Sequence, residues 1–144
     1  MRLWRIAAFA LMLFVPMIAS AQFKDLDSAM SNLSRGFEQG QAQPIIEGMA
    51  AGDQVQLQFP GLIDKSGFFG RDQASYLLDE LFTKARPSGF QRVSAQKQSA
   101  EAQYHITATW TIQPDGKQQE RDLYITLGNK NDRWSIVSIR AAGK

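Results

Sequence analysis

Few residues in this 144-residue chain are of types that do chemistry, so they can be weighed one by one. His105 is the only histidine. A lone imidazole can act as a general base, but it cannot build a histidine-rich metal site. It sits among Thr107, Thr109 and Thr111 at strand spacing, where a solvated side chain is the expectation. There is no cysteine, which removes disulfides, thiol nucleophiles, cysteine metal sites and a lipid-modified cysteine together. Asp79 and Glu80 fall on the polar side of a helical segment and are expected to face water. Gly67-Phe68-Phe69-Gly70-Arg71, just before that helix, invites an anion-binding reading in which backbone N–H groups and Arg71 face a phosphate or carboxylate. A tight turn explains the same glycines more simply. No Walker motif, nucleotide fingerprint, G-x-S-x-G or H-E-x-x-H occurs, nor a ligand-spaced Asp/Glu/His cluster. The sequence therefore assigns no catalytic residue, no metal site and no cofactor.

What remains is aromatic. Phe59, Phe68, Phe69, Phe82, Phe90, Trp110, Tyr124 and Trp134 either fill a core or line a hydrophobic pocket between sheet and helices. The ligand-binding expectation is placed on Phe59, Phe69, Tyr76, Trp110, Tyr124 and Trp134.

The elements that must position these residues are read from periodicity. Ser66 to Phe90 carries the clearest helix. Ala74, Leu77, Leu78, Leu81, Phe82 and Ala85 form one apolar stripe at i, i+3, i+4, i+7, i+8 and i+11. Gly70 is placed at its N-cap, Asp72 suits its positive end, Lys84 and Arg86 suit its negative end, and Pro87 stops it. A helix this one-sided needs a surface, and the alternating segments after Phe90 are expected to supply it.

Earlier in the chain, Phe23, Leu26, Met30, Leu33 and Phe37 mark a first amphipathic helix, capped by Asp25 or Asp27 and ended by Gly40. Pro44 to Ala50 predicts a short second helix. Val55, Leu57 and Phe59 alternate with glutamines as a strand stopped by Pro60-Gly61. Gly61 to Phe69 is read as a loop, or a strand with a bulge.

Beyond the central helix, Phe90 to Lys97 is a strand in which Phe90 and Val93 differ in parity, so a bulge or one exposed face is expected. Tyr104, Ile106, Ala108, Trp110 and Ile112 alternate cleanly with His105 and the threonines. Pro114-Asp115-Gly116-Lys117 is a hairpin turn. Arg121, Leu123, Ile125 and Leu127 alternate with Asp122, Tyr124 and Thr126. Gly128 to Asp132 makes another turn, and a last strand runs through Trp134, Ile136, Val137 and Ile139 with a parity break. Helices early and a strand meander late predict an α+β fold, a curved antiparallel sheet with helices packed on one face.

The first 21 residues read as a signal peptide. Arg2 and Arg5 form a basic n-region, Ile6 to Ile18 an apolar h-region shorter than the roughly 20 residues of a membrane span, and Ala19-Ser20-Ala21 a cleavage site. Cleavage leaves Gln22 to Lys144 as one domain, exported to a periplasm or secreted, with no integral membrane span. The cysteine-free composition leans towards a bacterial periplasm. Removing Arg2 and Arg5 leaves 14 basic residues against 14 acidic, so a neutral domain gives no electrostatic case for nucleic acid or anionic membrane.

The order of elements resembles the cone-shaped fold of the nuclear transport factor 2-like superfamily. The residues behind this are a helix ending at Gly40, the short Pro44–Ala50 helix, Gly52-Asp53 before a strand, F-F-G-R-D-Q-A-S-Y-L-L-D-E-L-F opening the central helix, and the long strands. More narrowly, F-G-R-D-Q-A…L-L…L-F…P-S-G-F resembles a family of small exported bacterial proteins of unknown function. Gly70 stands where a serine or threonine cap would be usual. The resemblance implies the fold and no single activity, because this fold hosts isomerases, dehydratases, binding modules and partner domains.

Enzymes of that fold place a carboxylate and a tyrosine in the cone mouth, and here the resemblance points to Tyr76 with Asp64 or Asp122. Three readings follow. The first is a non-enzymatic exported domain that binds a small apolar ligand or a partner protein. The second is an isomerase- or dehydratase-like enzyme using that tyrosine and carboxylate. The third is a homodimeric structural module that associates through the Thr107–Thr109–Thr111 face.

Overall fold

The computed structural model describes residues 25–50, 52–98 and 103–142. The signal-peptide expectation falls outside them. The order is α1 (Leu26–Gln39), α2 (Gln43–Ile46), β1 (Val55–Gln58), β2 (Gly67–Phe69), α3 (Arg71–Ala85), β3 (Pro87–Gln98), β4 (Gln103–Ile112), β5 (Gln119–Lys130) and β6 (Arg133–Ala141).

Each helix forms where the periodicity places it. Asp25 caps α1 by accepting the Ser28 N–H at 2.7 Å, and Gly40 ends it in the left-handed region at φ 68. α3 buries all six residues of its stripe. Gly70 is its N-cap and makes no side-chain bond there, and Arg86, at φ 49, turns the chain out ahead of Pro87. α2 is shorter than expected. One turn ends at Ile46, and the residues after it make successive turn bonds, Gly48 N–H to Ile45 O and Met49 N–H to Ile46 O.

The six strands form one sheet in the order β2-β1-β6-β5-β4-β3. The long hairpins β3–β4, β4–β5 and β5–β6 are antiparallel, as is β1–β2. The exception is β1, which runs parallel to β6 with Leu57 opposite Ile139. The segments between β1 and β6, α3 among them, give the chain length to return in that sense. Both expected parity breaks are bulges. The β3–β4 register shifts between Arg92 and Ser94, leaving Val93 unpaired and exposed. The β5–β6 register shifts between Thr126 and Leu127, opposite Val137.

One turn differs from expectation. β5 continues through Gly128 to Lys130, and Asn131-Asp132 alone, at φ 55 and φ 60, closes a two-residue hairpin onto Arg133. Asn and Asp tolerate that left-handed pair better than other non-glycine residues.

α1 lies over β3, while α3 lies over β1 and β2 and packs against α2. Between the helices and the sheet is an aromatic cluster built on Trp110. Its ring meets Phe37 edge-on at 5.3 Å, Phe82 at 6.1 Å and Phe59 at 6.3 Å. Phe37 in turn contacts Phe82 and stacks on Phe90. Trp110 Nε1 donates to the Phe37 carbonyl at 3.0 Å, so the sheet supplies a donor to the last turn of α1. Gly36 lets α2 approach α1: a Cβ there would lie 2.6 Å from Ile45 Cγ1.

Candidate functional site

The helix-bearing face of the sheet is mainly apolar, and one charged residue among those described is buried on it. Along β5, Leu123, Ile125 and Leu127 point under the helices, and Arg121 holds the same register with 8% exposure. The opposite face carries Thr107, Thr109 and Thr111 of β4, paired with Tyr124, Asp122 and Glu120 of β5. His105 lies on this face, paired with Thr126, with its Nδ1 3.2 Å from Thr126 Oγ1. It is half-buried rather than freely solvated, and its Nε2 is shielded without a partner.

The six aromatic candidates do not converge on one cavity. Phe59 and Trp110, 1% and 0% exposed, are core residues whose volume the neighbouring rings and aliphatic side chains fill. Trp134 is half-buried at another end of the sheet, where its ring meets Tyr104 at 6.1 Å. Tyr124 is 41% exposed on the threonine face, away from the helices. Only Phe69 and Tyr76 come together. With Lys65, Asp72, Gln73 and Leu77 they line a groove of about 330 Å³ beside the start of α3. The groove is mainly apolar, with charged groups at its rim.

The carboxylates implied for an enzyme are not in that groove. Asp64 is an exposed residue of the β1–β2 connection, and Asp122 is exposed on the threonine face. On strand β5 that face is opposite the one bearing Arg121 and Leu123. Asp79 is exposed and Glu80 pairs with Lys84 at 3.0 Å, as residues on the outer side of α3 should. Gly67 pairs with Leu57 in β2, and Ala74 N–H donates to Gly70 O. The glycines before α3 thus serve the strand and the helix start. Among the described residues no group of three or more His, Asp or Glu side chains is placed to hold a metal.

A second hollow, of about 420 Å³, lies between the end of α3, the turn after β1 and the β4–β5 hairpin. It is lined by Leu62, Thr83, Lys84, Arg86, Gln119 and Arg121, with Asp115 on the hairpin and Gly61 on the turn. Arg121 Nη1 donates to two backbone carbonyls, Pro60 O at 2.8 Å and Ala142 O at 3.2 Å. Sequence reasoning placed Arg121 in an apolar register without asking what its charge was for. That register was the signal.

Residues 30–141 match the protein family described as Domain of unknown function (DUF4783). Among solved structures, the fold is similar to a DUF4783 family protein from Bacteroides ovatus, with 21% identity, TM-score 0.64 and coverage of 79% of this chain and 96% of that one. A DUF4783 family protein from Bacteroides uniformis is similar at 14% identity and TM-score 0.65, covering 79% and 95%. A hypothetical protein from Catenulispora acidiphila with a ketosteroid isomerase-like fold, solved in complex with trimethylamine, matches at 12% identity and TM-score 0.61, covering 81% and 85%. No curated protein matches the chain. At these identities the solved structures establish a shared fold alone, of the nuclear transport factor 2-like and ketosteroid isomerase-like kind.

Proposed function

The chain belongs to the DUF4783 family, and from that premise we propose that it is an exported, non-enzymatic recognition domain that takes a small apolar or amphipathic ligand in the groove between Phe69 and Tyr76. The observation that carries this reading is the exposure of the aromatic residues there. Tyr76 is 69% exposed on α3, and Phe69 across the groove is half-buried. Such side chains gain by covering an apolar group, and the groove volume sits at the small end of ligand sites. Asp72 and Lys65 at its rim would orient a polar head of either sign. A fold relative that holds trimethylamine supports ligands of this size. Export rests on the Arg2–Ala21 pattern, and the non-enzymatic reading on the absence of a catalytic spacing in the sequence.

The test is an amide-resolved NMR titration with three probes of equal chain length, a butylammonium, a butyrate and butanol. Movement of the Phe69, Gln73, Tyr76 and Leu77 amides, lost in Tyr76→Ala, supports the groove. Amides unmoved by every probe at about 10 mM, beyond the weakest affinities of interest, would sink it. Mass spectrometry of protein recovered from an export-competent host tests the leader. A chain starting at Gln22 supports export, and one starting at Met1 overturns it.

A further inference from the structure

We infer that the hollow around Arg121 is a binding site for a small organic carboxylate that carries a second hydrogen-bonding group. Arg121 is the buried charged residue among those described, and none of them gives it a carboxylate. Its two acceptors, Pro60 O and Ala142 O, are neutral and both sit on Nη1. They fix the guanidinium in place without cancelling its charge. The other edge of the fork, Nε and Nη2, makes no hydrogen bond to any described residue, and Nε is shielded from water as well. Nη2, beside Gly61, can take a carboxylate oxygen directly, and Nε, closed to a water-sized group, joins it in a second parallel N–H···O bond once the side chain shifts slightly. Shielding strengthens such a bond and makes the empty edge costly.

The surroundings fit the same occupant. Gly61, at φ +76, has the position of its missing Cβ 3.4 Å from Nη2, so no side chain covers the fork from that side. Arg86 brings a further cation to the walls, and so does Lys84, whose charge Glu80 partly offsets. Gln119, two residues before Arg121 on the same strand face, has an Oε1 that is buried without a partner. It needs a donor, which acetate lacks and a hydroxyl or ammonium supplies; phosphate also carries an O–H, but brings a charge that approaches two. Asp115 on the rim favours a cationic or donor group over a second negative charge. The end of α3, with its negative dipole end, acts the same way. A hydroxy acid or amino acid therefore fits better than inorganic phosphate. A buried arginine is a poor stabilising device, since an apolar residue at that register would do as well or better.

The experiment follows the Arg121 Nε–Hε resonance of the intact protein during titration with acetate, glycolate, glycine and inorganic phosphate. Glycolate or glycine should shift it at lower concentration than acetate. Arg121→Lys, which keeps charge but loses the fork, is followed through the backbone amides of Gly61, Arg86 and Gln119 and should weaken that binding by about tenfold or more. Should that variant not fold, Arg86→Gly decides. It relieves a left-handed backbone, so its unfolding midpoint should rise while affinity falls by about twofold to fivefold. A resonance unmoved by all four probes at about 10 mM would leave the hollow to water and overturn the proposal. A response to phosphate alone, or unchanged affinity in Arg86→Gly, would overturn it equally. Tyr76→Ala should leave this titration untouched, so this site and the groove fail independently.

Discussion

Replacing Trp110 with phenylalanine separates a core residue from a pocket-lining one. The indole is fully buried, its ring contacts Phe37, Phe59 and Phe82, and its N–H reaches the Phe37 carbonyl at 3.0 Å. Phenylalanine removes the donor and strands a buried carbonyl in the last turn of α1, at a cost of about 1–3 kcal/mol. It also removes the fused ring portion and leaves a small cavity, costing about 1–2 kcal/mol more by comparison with other buried large-to-small changes. The expected loss is about 2–5 kcal/mol, a large share of the 5–15 kcal/mol typical of a domain. Urea unfolding monitored by far-UV circular dichroism measures it, with Phe82→Leu as the control that perturbs the same cluster and leaves the hydrogen bond. Trp110→Phe should lower the midpoint without changing the slope. A loss below about 1 kcal/mol, the scale of a single exposed contact, would refute the reasoning. It would mean that Trp110 faces space or water and that the cone is open around it.

Three other outcomes follow from local geometry. Gly36→Ala puts a Cβ 2.6 Å from Ile45 Cγ1. It should therefore destabilise by about 1–3 kcal/mol despite alanine's helix preference, and Ile45→Val in the same chain should return part of the loss. Asp132→Gly, at φ 60 in the Asn131-Asp132 hairpin, should stabilise by about 0.5–1 kcal/mol in thermal unfolding, because glycine removes the left-handed strain. Tyr76→Ala should leave stability within about 0.5 kcal/mol of the parent, as expected for a side chain mostly in water; a much larger loss would make Tyr76 structural rather than a ligand contact.

The chain's own periodicity determined much of this protein. All six residues of the α3 stripe are buried because helical spacing puts them on one side of a cylinder, whatever lies beneath. The alternation of β4 and the parity breaks at Val93 and Val137 were legible for the same reason, since side-chain direction in a strand is fixed by counting. The Asn131-Asp132 turn was placed three residues too wide, because Gly128 reads as a turn residue until its partner strand is known.

Tertiary structure decided the rest. Phe59 and Tyr76 are both aromatic positions beside apolar neighbours, yet one is sealed under the helices and the other stands in water, a difference set by how α3 lies on β1 and β2. Asp122 was a candidate partner for Tyr76 until β5 took its place in the sheet and turned that side chain to the threonine face. Arg121 was visible only as a charge in an apolar register. That its fork is held on one side and meets no described residue on the other depends on Pro60 and Ala142, 61 and 21 residues away in sequence, arriving at the same nitrogen. Spacing along a chain fixes which way a side chain points; whether it then meets a ring, a carbonyl, a counter-ion or an opening depends on segments that local periodicity does not connect to it.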